Sequence, residues 1–218
     1  MIDLHTHTLL SDGELLPSEL VRRAYVVGYK AIALTDHVDR SNIDIVVSGL
    51  VRAAKSLNRY WDIVVIPGVE ITHVPLEDFS SMVKYARAKG ARMIVGHGES
   101  PVEPVVPGTN RAAILAGVDI LAHPGMISDD DARLAAEKKV FLEITARRGH
   151  SQGNSRVFEA AGKVGADMVL NTDSHSPQDL LTAERAAEII KGLSVDETFG
   201  AVLARNSGEL VRKAGFKP

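Results

Sequence analysis

Apolar and polar positions alternate along this chain in two regimes. Short runs rich in Val and Ile read as buried strands, and the longer stretches between them repeat their apolar positions with a period of about 3.6 and read as helices. The first helix follows Pro17, with Leu16, Leu20, Ala24 and Val27 on one stripe, and Gly28 stops it. A strand over 30–35 comes next. The second helix, 42–59, carries the stripe Ile43, Val47, Leu50, Ala54 and Leu57, and the strand over 62–70 is expected to bend near its end at Pro67 and Gly68. A third helix near 77–89 ends at Gly90 before the strand 92–97. The segment 98–107 holds Pro101, Pro104 and Pro107 and reads as an ordered loop.

The second half repeats the scheme. Helices over 110–116, 129–139 and 154–164 alternate with strands over 118–123, 140–144 and 167–171. A seventh helix follows Pro177, and two short helices, near 195–205 and 207–214, close the chain. With the N-terminal segment this makes seven strands alternating with helices, the pattern of an α/β protein with a parallel sheet, closed as a barrel or open and doubly wound. No linker or low-complexity segment interrupts it, so residues 1–218 are expected to form one domain.

The polar residues choose between barrel and open sheet. Predicted strands repeatedly end in a side chain able to bind a metal: His5 and His7, Asp36 with His37, Glu70, His97, His123, and Asp173 with His175. Parallel α/β barrels gather their active sites from strand ends on one rim, whereas strands at opposite edges of an open sheet could not reach one point. A closed ring is therefore expected. In the first stretch, extended backbone turns the side chains of His5 and His7 to one face, and Asp12 follows in a short turn closed by Gly13.

Composition narrows the classes of function. At 218 residues and 45% apolar side chains, the chain suffices for one well-buried core. The net charge of -3 and the scatter of Lys and Arg lack the footprint of a dedicated nucleic-acid binder. Absence of cysteine excludes disulfides and thiolate metal sites. No apolar run approaches the roughly 20 residues of a membrane span, and no signal peptide is apparent, so a cytoplasmic location is expected. Nothing in the pattern assigns an oligomeric state.

The motifs His5-Thr6-His7-Thr8 with Ser11-Asp12-Gly13, Leu34-Thr35-Asp36-His37, Gly68-Val69-Glu70, Gly96-His97-Gly98, Ala122-His123-Pro124-Gly125 and Asn171-Thr172-Asp173-Ser174-His175 resemble the PHP family. That family joins polymerase-associated domains to histidinol phosphatases. The resemblance runs in order from residue 2 to about residue 180. It implies a distorted seven-stranded TIM-like (β/α) barrel with two or three metal ions at the C-terminal ends of the strands. It also implies three ion positions: His5, His7, Glu70 and Asp173 at the first, Glu70, His97 and His123 at the second, and Asp12, His37 and His175 at the third. Glu70 would bridge two ions. Imidazoles and carboxylates without sulfur suit Zn, Mn or Fe better than calcium.

Clustered divalent ions lower the pKa of water from 15.7 toward about 7 and neutralise phosphoryl oxygens, so the expected reaction is hydrolysis of a phosphate ester by a metal-activated hydroxide. Arg147 and Arg148 lie at the same predicted rim, where an arginine fork can take phosphate oxygens, although a solvated basic turn has the same pattern. His150 is weighed as a proton donor against a solvated loop histidine. Glu143, Arg111 and Ser174 are placed as pocket lining, Asp36 as either an orienter of His37 or a turn cap, and His73 as exposed. The favoured substrate is a small phosphomonoester of the histidinol phosphate kind. A nuclease or phosphodiesterase is the alternative, disfavoured by the acidic balance and by only one Trp, four Tyr and five Phe. A non-catalytic binding or scaffold domain is the third reading, against which the complete ligand set stands.

Overall fold

The computed structural model describes residues 1–193 and 198–217. Its strands are β1 (Ile2–Asp3), β2 (Ala31–Leu34), β3 (His37–Val38), β4 (Val64–Ile71), β5 (Met93–His97), β6 (Ile120–Ala122), β7 (Phe141–Thr145) and β8 (Met168–Asn171). Every pairing is parallel, in the order β1-β2-β4-β5-β6-β7-β8, with the short β3 beside the end of β4. The ring nearly closes. Thr6 bridges Ser174, and the N–H groups of His7 and Asp173 donate to Ser174 O at 2.8 Å and His5 O at 2.9 Å. The expected barrel of seven strands is present, with β3 as an added two-residue ladder.

The helices are α1 (Pro17–Val27), α2 (Ile43–Tyr60), α3 (Phe79–Lys89), α4 (Thr109–Ala116), α5 (Asp129–Lys138), α6 (Asn154–Val164), α7 (Ala183–Gly192) and α8 (Thr198–Lys213). The stripe expected on α2 is buried throughout and gains Val46. On α1, Leu20 and Ala24 of the expected stripe face the core together with Val21, while Leu16 and Val27 are exposed at the two ends. Leu16 precedes the first helical turn, where its side chain escapes the packed face. The C-terminal pair of helices is instead one continuous α8 in its described part, and the expected start at Val195 lies outside the described residues. The helix expected directly after Pro177 is a single 3₁₀ turn, Pro177–Asp179, and α7 begins later, capped by the Thr182 hydroxyl accepting from Arg185 N.

The strand expected to bend at Pro67 and Gly68 runs through both. Residues 64–67 of β4 pair with β2, and residues 68–71 pair with β5, so the strand changes neighbours where the bend was expected. Gly68 permits this by close approach: a Cβ there would stand 2.7 Å from Met93 O and 2.9 Å from Thr35 Cγ2. Gly68→Ala is therefore expected to destabilise by about 1–3 kcal/mol through overpacking. Gly162→Ala, in α6 with open space around it, should stabilise by about 0.5–1 kcal/mol. Denaturant unfolding of both variants checks the pair, and a Gly68→Ala midpoint equal to wild type would contradict the packing.

The barrel's polarity along its axis follows from the alternation within each strand. Inward positions read Ile66-Gly68-Glu70 on β4, Met93-Val95-His97 on β5 and Phe141-Glu143-Thr145 on β7. Each starts apolar and becomes polar toward its C-terminal end. Outward positions such as Val65, Val69, Ile94, Leu142 and Ile144 pack against the helices. At the start of the strands, Leu210 and Val211 of α8 and Ala214 just after it pack with Leu4, Ala31, Ile66 and Met93, closing that end with hydrocarbon. The opposite rim gathers the imidazoles and the buried acids that face them, whereas Asp119 at the start of β6 is paired with Arg87 and Lys213.

Candidate metal centre

Thr6 separates the two imidazoles of the first motif. Its hydroxyl donates to Ala33 O at 2.6 Å and its N–H to Thr35 Oγ1 at 3.0 Å, which leaves His5 and His7 together on the other face. Their Nε2 atoms stand 3.1 Å apart. Beneath them Glu143 is fully buried. Its Oε1 lies 2.9 Å from His5 Nδ1 and accepts from Asn171 Nδ2 at 3.0 Å, and its Oε2 accepts from His123 N at 2.9 Å. In the neutral ring that contact assigns the His5 proton to Nδ1 and leaves the Nε2 lone pair for the centre. Glu143 is thus a support under two histidines and not a lining residue.

The following turn is held by Asp36, which accepts from Thr8 N and the Ser11 hydroxyl, each at 2.9 Å. Neither of its expected roles, orienting His37 or capping the next turn, is what it does. Gly13 N donates to Thr8 O at 2.9 Å, and a Cβ on Gly13 would meet His7 O at 2.5 Å, so the turn needs glycine. The turn carries Asp12 to 3.2 Å from His175 Nε2, 3.6 Å from His37 Nε2 and 3.8 Å from His7 Nδ1.

Glu70 lies at the middle. It has no solvent exposure and neither oxygen accepts a well-formed hydrogen bond. Oε2 is 2.8 Å from His37 Nδ1, 3.3 Å from His5 Nε2 and 3.5 Å from His7 Nε2, and Oε1 is 3.6 Å from His123 Nε2. Asp173 completes the ring, with Oδ1 3.1 Å from His7 Nε2 and Oδ2 3.8 Å from His123 Nε2. The backbone is also held in an unfavourable form here. Among non-glycine residues, His73, His123 and Asp173 have φ of 52°, 28° and 52°, a strain that recurs at functional sites and persists only where packing enforces it.

Electrostatics follow from this crowding. Burial opposes the imidazolium of His5, but the carboxylates of Glu143, Glu70 and Asp173 outweigh it and hold its pKa well above the usual value. Burial and the adjacent His37 push His7 well below the usual value. Burial also opposes the charge on Glu70, yet His5, His37 and His97 keep its carboxyl well below the usual carboxylate range. For Asp173, burial wins and raises the pKa. His37 is burdened by burial too, but Glu70 and Asp12 raise it to about 9. Protons on imidazole thus balance carboxylates in a space where water cannot, which is the role a bound cation would take over.

Donor atoms gather into sets compact enough to surround an ion, each within 4.8 Å: His7, Asp12, His37 and His175; His5, His7 and Asp173; Glu70, His97 and His123. All nine residues singled out as ligands therefore converge at one rim. His7 joins the Asp12 set as well as its own. The orphaned Glu70 oxygens and the Nε2 atoms of His5 and His7, 3.1 Å apart with a proton between them, fit metal ions, because a cation satisfies acceptors that find no donor and would replace that proton.

The outer residues divide. Arg147 reaches the centre: Nη1 donates to Asp173 O at 3.2 Å and stands 3.6 Å from Asp179 Oδ2. Arg148 is exposed. Arg111 turns away to pair with Asp131 at 2.8 Å, and the Ser174 hydroxyl donates to Ser176 O at 3.1 Å, so neither lines the site. His150, read as a possible solvated loop residue, is buried with its ring centroid 4.4 Å from that of His123, and burial with that neighbour lowers its pKa to about 4. His73 is exposed as expected, yet its Nε2 is 3.4 Å from Glu103. Glu103 escaped the sequence reading altogether. Its signal in the sequence is an acid in a proline-rich loop that opens directly after the His97 strand end and also holds Glu99.

Comparison with known proteins identifies the family. The family description "PHP domain" matches residues 3–116. An uncharacterized protein of Methanocaldococcus jannaschii is 48% identical over 189 residues, covering 86% of this chain and 87% of that protein. A protein of Clostridium acetobutylicum named "Probable phosphatase" is 25% identical over 192 residues, covering 80% and 79%. Among solved structures, a chain of archaeal ribonuclease P with mature tRNA superposes with a TM-score of 0.74 at 16% identity, covering 98% of this chain and 91% of that one, a likeness of fold alone.

Proposed function

The chain belongs to the PHP domain family, and from that premise we propose that it is a metal-dependent phosphoesterase acting on a small-molecule phosphomonoester. The observation that carries the reading is Glu70, a fully buried carboxylate whose two oxygens accept no well-formed hydrogen bond and are encircled by imidazole nitrogens. One ion is assigned to His5, His7, Glu70 and Asp173, a second to Glu70, His97 and His123, and a third to Asp12, His37 and His175. When bound, Zn, Mn or Fe ions supply a lowered pKa for water and positive charge opposite the phosphoryl oxygens.

The chain's own residues do the positioning. Glu143 holds the proton of His5 on Nδ1 and, through His123 N, the strained backbone that aims a second imidazole. Arg147 offers a guanidinium already fixed at the rim by Asp173 O and Asp179, where two of its donors can meet phosphate oxygens. His150, kept neutral near pH 7, does not store the proton for the leaving group. The named phosphatase relative supports a monoester, as does the net charge of -3, which disfavours a long polyanion.

The test is a panel of p-nitrophenyl phosphate, bis-p-nitrophenyl phosphate, histidinol phosphate and a short oligonucleotide, each with Mn, Zn or Fe. Monoester turnover is expected, abolished by chelation and restored by one of these metals. Full activity in a chelator-stripped, metal-verified sample would refute the metal-dependent reading. Turnover of the diester or oligonucleotide in preference to the monoesters would refute the substrate class.

A further inference from the structure

Glu103 stands apart from the strand-borne ligands because it comes from the 98–107 segment between β5 and α4. Its Oε2 lies 3.0 Å from His97 Nε2 and 3.4 Å from His73 Nε2, while Oε1 lies 3.3 Å from His150 Nε2. Three imidazoles from three different loops or strand ends thus meet one carboxylate. We propose that Glu103 is a metal ligand, its Oε2 completing the shell of the ion held by Glu70, His97 and His123. The proposal rests on reading this rim as a metal centre and adds to it a ligand from outside the barrel strands.

The tautomer of His97 is the first argument. Its Nδ1 is 3.1 Å from Gly98 O, which can only accept, so the ring proton of the neutral form belongs on Nδ1. Nε2 then turns its lone pair toward Glu103 Oε2. Two acceptors facing one another at 3.0 Å need a proton or a metal ion between them, and an ion bound at this rim would take the proton's place. With ligand bonds of about 2.0–2.2 Å, neighbouring donors around one ion are roughly 3.0–3.5 Å apart, the separation found here. The donor atoms form two groups, Glu70-His97-His123 and His73-His97-Glu103, that share His97; its Nε2 has one lone pair and can serve one ion, so an ion bound there joins Glu103 to Glu70 and His123 through a small inward movement of the Glu103 side chain.

The second argument is how the carboxylate is presented. Glu99 Oε1 accepts from Gly108 N and Asn110 N, both at 3.0 Å, and Asn110 ties back to Glu99 N at 2.9 Å and Pro124 O at 2.9 Å. The loop's base is clamped to α4 and to the turn after β6. Gly125, with φ of 58° and no room for a Cβ against Glu99 O, lets the two loops touch. His150 then engages the other carboxylate oxygen, as outer partners do for ligating carboxylates. This explains why a histidine beyond the ligand set is buried. The Glu103 side chain is 33% exposed, against 0% for Glu70, 3% for His97 and 1% for His123. It is the ligand on the solvent side, where an incoming phosphate oxygen would exchange with it.

The test uses the full chain loaded with Zn or Mn, comparing wild type with Glu103→Gln and Glu103→Asp. Metal per chain after dialysis and the rate of release to a chromogenic chelator are measured, with metal-free melting curves as the control for folding. Glu103→Gln should release one ion at least tenfold faster and keep the others, with its metal-free melting unchanged. Glu103→Asp, which keeps the charge but shortens the reach, should shift release in the same direction. Unchanged metal content and release in both variants would leave Glu103 as a mere ion-pair partner of His97 and overturn the proposal, while the metal-centre reading would stand. A wild-type chain that retains no ion would overturn both.

Discussion

Glu70→Gln is expected to lower phosphoester hydrolysis on the order of 10³-fold and to cost the protein at least one bound ion. A carboxylate can give one oxygen to each of two cations, whereas an amide offers a single weaker acceptor and turns its NH2 group toward either His5 or His123. Loss of several kcal/mol of charge stabilisation at the phosphoryl centre corresponds to that factor, at about 1.36 kcal/mol per tenfold. The melting temperature should report the same change. Ions that bind only the folded chain stabilise it in proportion to the logarithm of their saturation, so the gap between metal-loaded and metal-free melting should shrink in the variant. Wild-type metal content together with wild-type rate in Glu70→Gln would show that this carboxylate does not join two ions.

Glu143→Ala is expected to destabilise the fold by about 3–5 kcal/mol, the range for removing one partner from a buried charged pair. Three groups depend on this side chain: His5 Nδ1 at 2.9 Å, Asn171 Nδ2 at 3.0 Å and His123 N at 2.9 Å. All are buried, so none can turn to bulk water, and alanine leaves a void besides. Glu143→Gln keeps the volume and one acceptor and should unfold nearer to wild type. Its effect should appear in metal affinity, weakened about 10–100-fold as the proton on His5 loses its carboxylate partner. Chemical unfolding of the metal-free variants and metal competition measure the two effects separately. An alanine variant that unfolds within about 0.5 kcal/mol of wild type would contradict the buried network.

Much of this was legible in the chain. The His5-x-His7 spacing places both imidazoles on one face whatever the rest of the fold does, because extended backbone alternates its side chains. The same alternation along Met93-Val95-His97 announces a strand whose inner face is hydrocarbon at one end and a ligand at the other. The stripe on α2 needed only the helical period. Reading failed where local periodicity carries no information. The end positions Leu16 and Val27 were assigned to the core of α1, but a terminal turn has no neighbour above or below to bury it. Arg111 was given to the pocket, although its partner Asp131 opens a different helix. Glu103 and His150 lie in loops, where no repeat ties a side chain to a direction.

What the sequence alone determined is the alternation of strands and helices, the end of each strand that becomes polar, and the chemistry of the nine ligand-type residues at those ends. Those follow from short-range sterics and from burial of apolar faces, which act over a few neighbouring residues. What only the tertiary structure decided is which residues meet. Leu4 N reaches Asn171 Oδ1 at 2.9 Å across 167 positions, and the closure it belongs to brings Asp173 beside His7. The approach of Glu103 to His97, the burial of His150 and the use of Glu143 as a support beneath His5 also depend on how loops fold over a closed ring. The physical reason is that closure of a barrel sets register between segments far apart in the chain, and the positions of loop side chains inherit that register.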